Sequence, residues 1–213
     1  MKDIILIGGG GHCKSVIETI SKSKDYNIVG ILDLHDKVGE EILGIKIIGT
    51  DDQLEYFYKN GVRYAFLSLG SIGDISLRKR LYTIALEIGY VFPNIIDNTA
   101  IISDKIQVGC GNFIGKGVII NSDTVIGNNC IINTGAIIEH DCCIGDFCHI
   151  APGSALSGGV IIGQNSHIGT NSTIIQNINV GENTIIGAGS VVIKDIGDNR
   201  KAYGNPCREV EHE

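Results

Sequence analysis

The chain has 213 residues, a formal net charge of −7 and 43% hydrophobic residues. Its length suits one domain or two small ones, and an acidic balance without a basic stripe speaks against nucleic acid as a partner. No apolar run reaches the roughly 18 residues of a membrane helix, and Met1-Lys2-Asp3 leads straight into a short apolar run without signal or transit peptide, so the cytoplasm is the expected compartment.

Asp3 to Ile7 reads as a strand running into Gly8-Gly9-Gly10-Gly11-His12, after which Lys14 to Ser21 sets Val16, Ile17 and Ile20 at helical spacing. Asn27 to Leu32 is a second strand ending at Asp33. Asp52 to Lys59 reads as a helix, Arg63 to Leu69 as a strand ending at Gly70, and Leu77 to Ile88 as a further helix. This alternation predicts a small α/β, Rossmann-like domain with a parallel sheet over residues 1–92. In such sheets ligands bind beyond the carboxyl ends of the strands, where glycines let backbone amides approach a diphosphate at a helix N-terminus. Gly8, Gly10, Gly11, His12, Asp33 and Gly70 fall at those ends. A nicotinamide cofactor is not expected, because Cys13 stands where the third glycine of the dinucleotide fingerprint belongs. The plain alternative is that the glycines only make a tight turn and Asp33 is an ordinary strand-end residue.

From Ile96 to Val192, seventeen consecutive positions spaced six apart are Ile, Val or Leu. A period of six suits neither the helix, at roughly 3.6 residues per turn, nor strand alternation, so each hexad is a short strand plus a corner. The pattern predicts a parallel β-helix within residues 93–213, with a C-terminal tail. The aliphatic residue is expected to point inward throughout, with a small inward residue four positions later, as at Cys130, Ala136, Cys142, Cys148, Ser154 and Ser166. Those cysteines read as small buried hydrophobes of a reducing compartment. Glycine follows the aliphatic residue at Gly109, Gly115, Gly127, Gly145, Gly163, Gly169, Gly181 and Gly187, where a tight corner would favour positive φ.

Three histidines occupy positions predicted to face outward: His140 in Ile138-Glu139-His140-Asp141, His149 in Cys148-His149-Ile150, and His167. Together with Ile132-Asn133-Thr134-Gly135-Ala136, the glycine-rich start and the tail Gly204-Asn205-Pro206, these segments resemble the bacterial sugar acyltransferases of the left-handed β-helix superfamily. The best match is the branch that N-acetylates nucleotide-linked 4-amino-4,6-dideoxy sugars, and the likeness spans nearly the whole chain. The chain departs from it at Ile96-Asp97-Asn98-Thr99-Ala100, where the family often has Ile-His-Pro-Ser-Ala, and at Cys207-Arg208, where Ala-Lys is common.

The resemblance implies a homotrimer of left-handed helices with 18 residues per coil, active sites between protomers, acetyl-CoA as co-substrate and no metal. At that coil length Gly158 stacks on His140, and His167 on His149. It further implies direct transfer to a sugar amine for surface glycan synthesis, of lipopolysaccharide or capsule. His140 is then the general base, Asp141 (less so Glu139) orients its imidazole, and the Gly158 N–H meets the oxyanion. Asn133 would line the sugar pocket, while His149, Gly158, Gly169 and Ala188 would contact acetyl-CoA. Other readings stand beside this one: an O-acetyltransferase for sialic acid or a related sugar, a γ-type carbonic anhydrase holding zinc through histidines between subunits, and a non-enzymatic scaffold.

Overall fold

The computed structural model describes residues 1–210, whose contacts form two compact units. The first comprises Met1–Gly70 and Asp74–Asn98; the second takes Ser71–Gly73 together with the chain from Thr99 onward. Among the described residues no helix is long and apolar enough to cross a membrane.

The first unit runs β1 (Lys2–Ile7), α1 (Gly11–Ser23), β2 (Tyr26–Leu32), β3 (Glu41–Ile42), β4 (Ile45–Gly49), α2 (Leu54–Lys59), β5 (Tyr64–Leu67) and α3 (Ser76–Ile88). The sheet order is β3-β4-β2-β1-β5, with β1 parallel to both β2 and β5. Ile4 to Ile7 are completely buried, as expected of a central strand covered on both faces. The sheet is mixed rather than purely parallel, because β3 pairs antiparallel with β4. That hairpin turns at Leu43-Gly44, both at positive φ. Leucine is an unusual residue for such a turn, so the sequence gives no hairpin signal. Asp97 is buried and accepts the Thr19 hydroxyl of α1 at 3.3 Å, a structural use for the residue that departs from the family pattern.

The second unit is a β-helix of two-residue strands, each paired in parallel with the strand 18 residues on, as Ile119 with Ile137, Val125 with Cys143 and Ile131 with His149. One face carries the strands beginning at Ile101, Ile119, Ile137, Ala155, Thr173 and Val191, and the next those beginning at Gln107, Val125, Cys143, Ile161 and Asn179. The third holds Phe113, Ile131, His149, His167 and Ile185, followed by the tail strands Lys201–Gly204 and Cys207–Val210. The aliphatic positions from Ile114 to Val192 fill the core. Ile96 does not: it is 40% exposed and groups with the first unit, while its neighbour Ile95 is buried.

The corners work differently from the sequence expectation. Glycines that follow the aliphatic residue do not have positive φ; at Gly145 an added Cβ would lie 2.6 Å from the Gln164 nitrogen, and at Gly163 2.5 Å from that of Glu182. They are glycine because the next coil comes too close for a side chain. The left-handed conformation falls three residues after the aliphatic, at Asp123, Asn129, Asp141, Asn165, Asn171, Asn177 and Asn183, at Phe147, and at glycines such as Gly117, Gly135 and Gly153, with φ between 52° and 70°. Asn and Asp tolerate that region best among residues with a Cβ.

The small inward positions also carry more than their volume. Cys130, Cys142, Cys148, Ser154, Ser166 and Ser172 each place a thiol or hydroxyl on the carbonyl 15 residues ahead, for example Ser166 on Gly181 at 2.6 Å and Cys148 on Gly163 at 3.1 Å. A buried donor thereby satisfies a corner carbonyl of the following coil. The cysteines are small and buried as expected, and serine-like in what their thiols touch.

Candidate active site

His140 stands at the corner between the first and second faces, just after the strand Ile137–Ile138. Its side chain is 62% exposed, and its Nδ1 lies 2.7 Å from Asp141 Oδ2. With Asp141 ionised, Nδ1 carries the proton and Nε2 keeps a lone pair directed away from the carboxylate. This hydrogen bond raises the imidazole pKa; slight burial works the other way, and the charges of Asp141 and Glu139 add to the rise. The Glu139 carboxylate is engaged elsewhere, accepting the Asn121 amide at 2.9 Å, so Asp141 is the group that holds the ring.

One coil further, the Gly159 N–H donates to the His140 carbonyl at 2.9 Å, which brings Gly158 over the imidazole. A Cβ on Gly158 would lie 2.6 Å from His140 Cε1 and 2.8 Å from Nε2. Only glycine leaves the ring where it is. Among the described residues the Gly158 N–H has no partner within the protein.

His149 leaves the core side of its strand as predicted, yet it is only 6% exposed because Ser71 covers it. Its Nδ1 donates to the Ser71 carbonyl at 2.8 Å, and its Nε2 lies 3.2 Å from Asn133 Nδ2. Asn133 Oδ1 accepts the Thr134 N–H at 2.8 Å, which fixes the amide with its NH2 toward the histidine. His149 is therefore held as a neutral, Nδ1-protonated ring. His167 packs edge-on against it, with ring centroids 4.8 Å apart; burial lowers its pKa, and its buried Nδ1 has no partner among the described residues. Nothing in the sequence signals the Ser71 lid.

The residues predicted for the β-helix thus fall into separate groups. His140, Asp141 and Gly158 share one corner. Asn133 and His149 meet at the end of the third face, opposite that corner, and Gly169 stands two coils further in the column of Asn133, where a Cβ would lie 2.5 Å from the Ala188 nitrogen. Within a single protomer the coil itself separates His140 from His149.

In the first unit a pocket of about 280 Å³ opens at the carboxyl ends of β1 and β2 and after β5, lined by Gly8, Gly9, Gly10, Asp33, Leu69 and neighbouring side chains. Gly8, at φ +101°, leaves no room for a Cβ, which would sit 2.7 Å from Leu69 Cβ; one on Gly9 would sit 2.7 Å from Asp33 Oδ2. Gly10, Gly11 and Gly70 have nothing within 4 Å at that position, so no internal contact demands glycine there. Gly11, His12 and Gly70 do not line the pocket. Asp33 Oδ2 accepts the Gly9 N–H at 2.5 Å, Oδ1 accepts the Leu34 N–H at 2.7 Å, and Lys37 Nζ lies 3.2 Å from Oδ1. Burial works against the charge of Asp33, yet the Leu34 and Gly9 amides and the Lys37 ammonium outweigh it and hold the carboxyl below its ordinary range. Cys13 is buried filler, its thiol pushed up to about 11 by burial. Sequence reasoning missed Lys37, Asp51, Leu77 and Arg80, which complete the lining and carry no motif.

Comparison with known proteins agrees with this layout. The PglD N-terminal domain family matches residues 3–85, and the bacterial transferase hexapeptide (six repeats) family matches residues 123–158 and 159–194. A search of curated proteins returns no match. PerB from Caulobacter crescentus, solved in complex with CoA and GDP-perosamine, is 36% identical with a TM-score of 0.92, covering 99% of this chain and 98% of that one. The acetyltransferase domain of PglB from Neisseria gonorrhoeae FA1090, solved with acetyl coenzyme A, is 30% identical with a TM-score of 0.89, covering 98% and 99%. A half-buried glycine pocket, a β-helix of hexads and full-length likeness at this identity lead to one assignment: the chain belongs to the PglD-like, hexapeptide-repeat family of left-handed β-helix, acetyl-CoA-dependent sugar N-acetyltransferases.

Proposed function

We propose that this chain transfers the acetyl group of acetyl-CoA to the 4-amino group of a UDP- or GDP-linked 4-amino-4,6-dideoxy sugar, in the cytoplasm, toward a surface glycan. One observation carries the reading: the His140–Asp141 pair lies beneath Gly158, whose N–H has no partner among the described residues. An amine attacks a thioester only when unprotonated, and His140 Nε2 takes up the proton it loses on attack. The Nδ1–H bond to Asp141 steadies the imidazolium that results. The oxygen of the tetrahedral intermediate accepts from the Gly158 N–H, a kind of contact worth roughly 2.7 to 4 kcal/mol. Collapse then expels the CoA thiolate, which is neutralised by the proton on His140.

His149 has both ring nitrogens engaged, so it shapes the acetyl end of the acetyl-CoA groove and does not trade protons; Gly169 and Ala188 continue that groove. A site that uses both His140 and His149 takes them from two protomers, and this supports a homotrimer. Ile101, 68% exposed, and Ile137 on the face leading to His140 offer apolar surface for a second copy to cover. The first domain, residues 1–92, holds the nucleotide in the pocket bordered by Gly8, Gly10 and Asp33, and Asn133 borders the sugar while it fixes His149.

Incubation with acetyl-CoA and GDP- or UDP-linked 4-amino sugars tests this, following thiol release and product mass. Acetylated sugar is expected with wild type and not with His140→Asn. Thiol release without sugar acetylation, or undiminished transfer by the variant, overturns the proposal.

A further inference from the structure

Three features of the first-unit pocket are left over once the glycine turn and Asp33 are explained. Asp51, half-buried in the lining, has a carboxylate with no hydrogen-bond or ion-pair partner among the described residues. Burial and the Asp33 charge push its pKa up, and Arg80 partly relieves it, so the guanidinium is near without being paired. Arg80 also lines the pocket with its charge uncommitted among the described residues. Finally, Leu34 and Leu77 line it while 61% and 47% exposed, apolar surface that a flat ring would cover.

We infer that this pocket selects guanine, with the Asp51 carboxylate accepting from N1–H and the 2-amino group and Arg80 donating to O6. The inference rests on the nucleotide-sugar reading above and deepens it. A carboxylate offers only acceptors, two of them side by side. Guanine alone among the common bases sets two parallel donors beside an acceptor. Uracil offers one donor between two acceptors, while cytosine and adenine each offer one donor next to an acceptor, so each of the three turns a lone pair toward Asp51. Asp33 cannot substitute, since backbone amides and Lys37 already occupy its oxygens.

Calorimetric titration of the full-length protein with GDP, UDP and CDP tests the assignment. GDP is expected to bind about tenfold or more tighter than UDP or CDP, the scale of a charge-assisted hydrogen bond. Asp51→Asn is expected to bring the GDP-to-UDP ratio close to one at an unchanged melting temperature. Equal or tighter UDP binding by wild type overturns the guanine assignment and leaves the nucleotide reading standing, and this arm needs no variant to fold. Retention of the ratio by a folded Asp51→Asn protein also overturns it. Binding of acetyl-CoA with none of the three nucleotides removes the nucleotide reading and the guanine assignment together.

Discussion

Two sets of glycines, one in each unit, do different work. At the corners of the β-helix, Gly145, Gly163 and Gly181 are glycine because the next coil passes where a Cβ would be. In the α/β unit, Gly10 and Gly11 face open space, so no internal contact requires a bare backbone there. Gly158 belongs to neither class: what its Cβ would strike is the His140 ring. In a repeat that satisfies the same packing rule coil after coil, function surfaces where a residue breaks the rule. In an aperiodic domain it surfaces where a residue has no internal reason.

Substitutions ordered by effect break or sharpen that contrast. His140→Asn removes the base and is expected to lower kcat by about 10²- to 10⁴-fold in a steady-state assay, with acetyl-CoA binding retained. Gly158→Ala displaces the ring rather than the coil, so transfer falls about 10²-fold while the melting temperature barely moves. Were Gly158 an ordinary corner glycine, the stability would fall instead. Asp141→Asn costs about tenfold in kcat/KM, and its pH profile is the sharper readout. Asp141 raises the His140 pKa, so losing it moves the acid limb to lower pH. An unmoved limb would mean Asp141 is only a left-handed corner residue. Gly145→Ala should destabilise by about 1 to 3 kcal/mol through overpacking against the Gln164 backbone, read by denaturant melts. Gly10→Ala should change stability by less than about 0.5 kcal/mol and weaken nucleotide binding in titration.

Much of this architecture is legible because periodicity is a global signal: one residue in six sets the strand-and-corner repeat, and the 18-residue coil that the family resemblance implies stacks Gly158 on His140. The details that escape are local and chemical. Positive φ sits three residues after the aliphatic, at asparagine, aspartate and glycine alike, rather than at the glycine directly after it, where coil-to-coil clearance forbids a Cβ. The burial of His149 escapes too, since Ser71 reaches it across 78 positions of sequence. Asp51 and Arg80 are ordinary residues until the sheet gathers them, and β3 with β4 hides behind a Leu-Gly turn that carries no hairpin signature.

His140 and His149 lie on opposite sides of one coil, so transfer that depends on both must join two protomers. Co-assembly of His140→Ala and His149→Ala chains, each first shown to be impaired alone, measures this directly. Random mixed trimers with sites between protomers should recover about one quarter of wild-type activity, because that share of sites pairs an intact His140 with an intact His149 from its neighbour. A site confined to one protomer has no complete pair in any mixture. Activity no higher than that of the separate variants, in trimers verified to contain both chains, would contradict it.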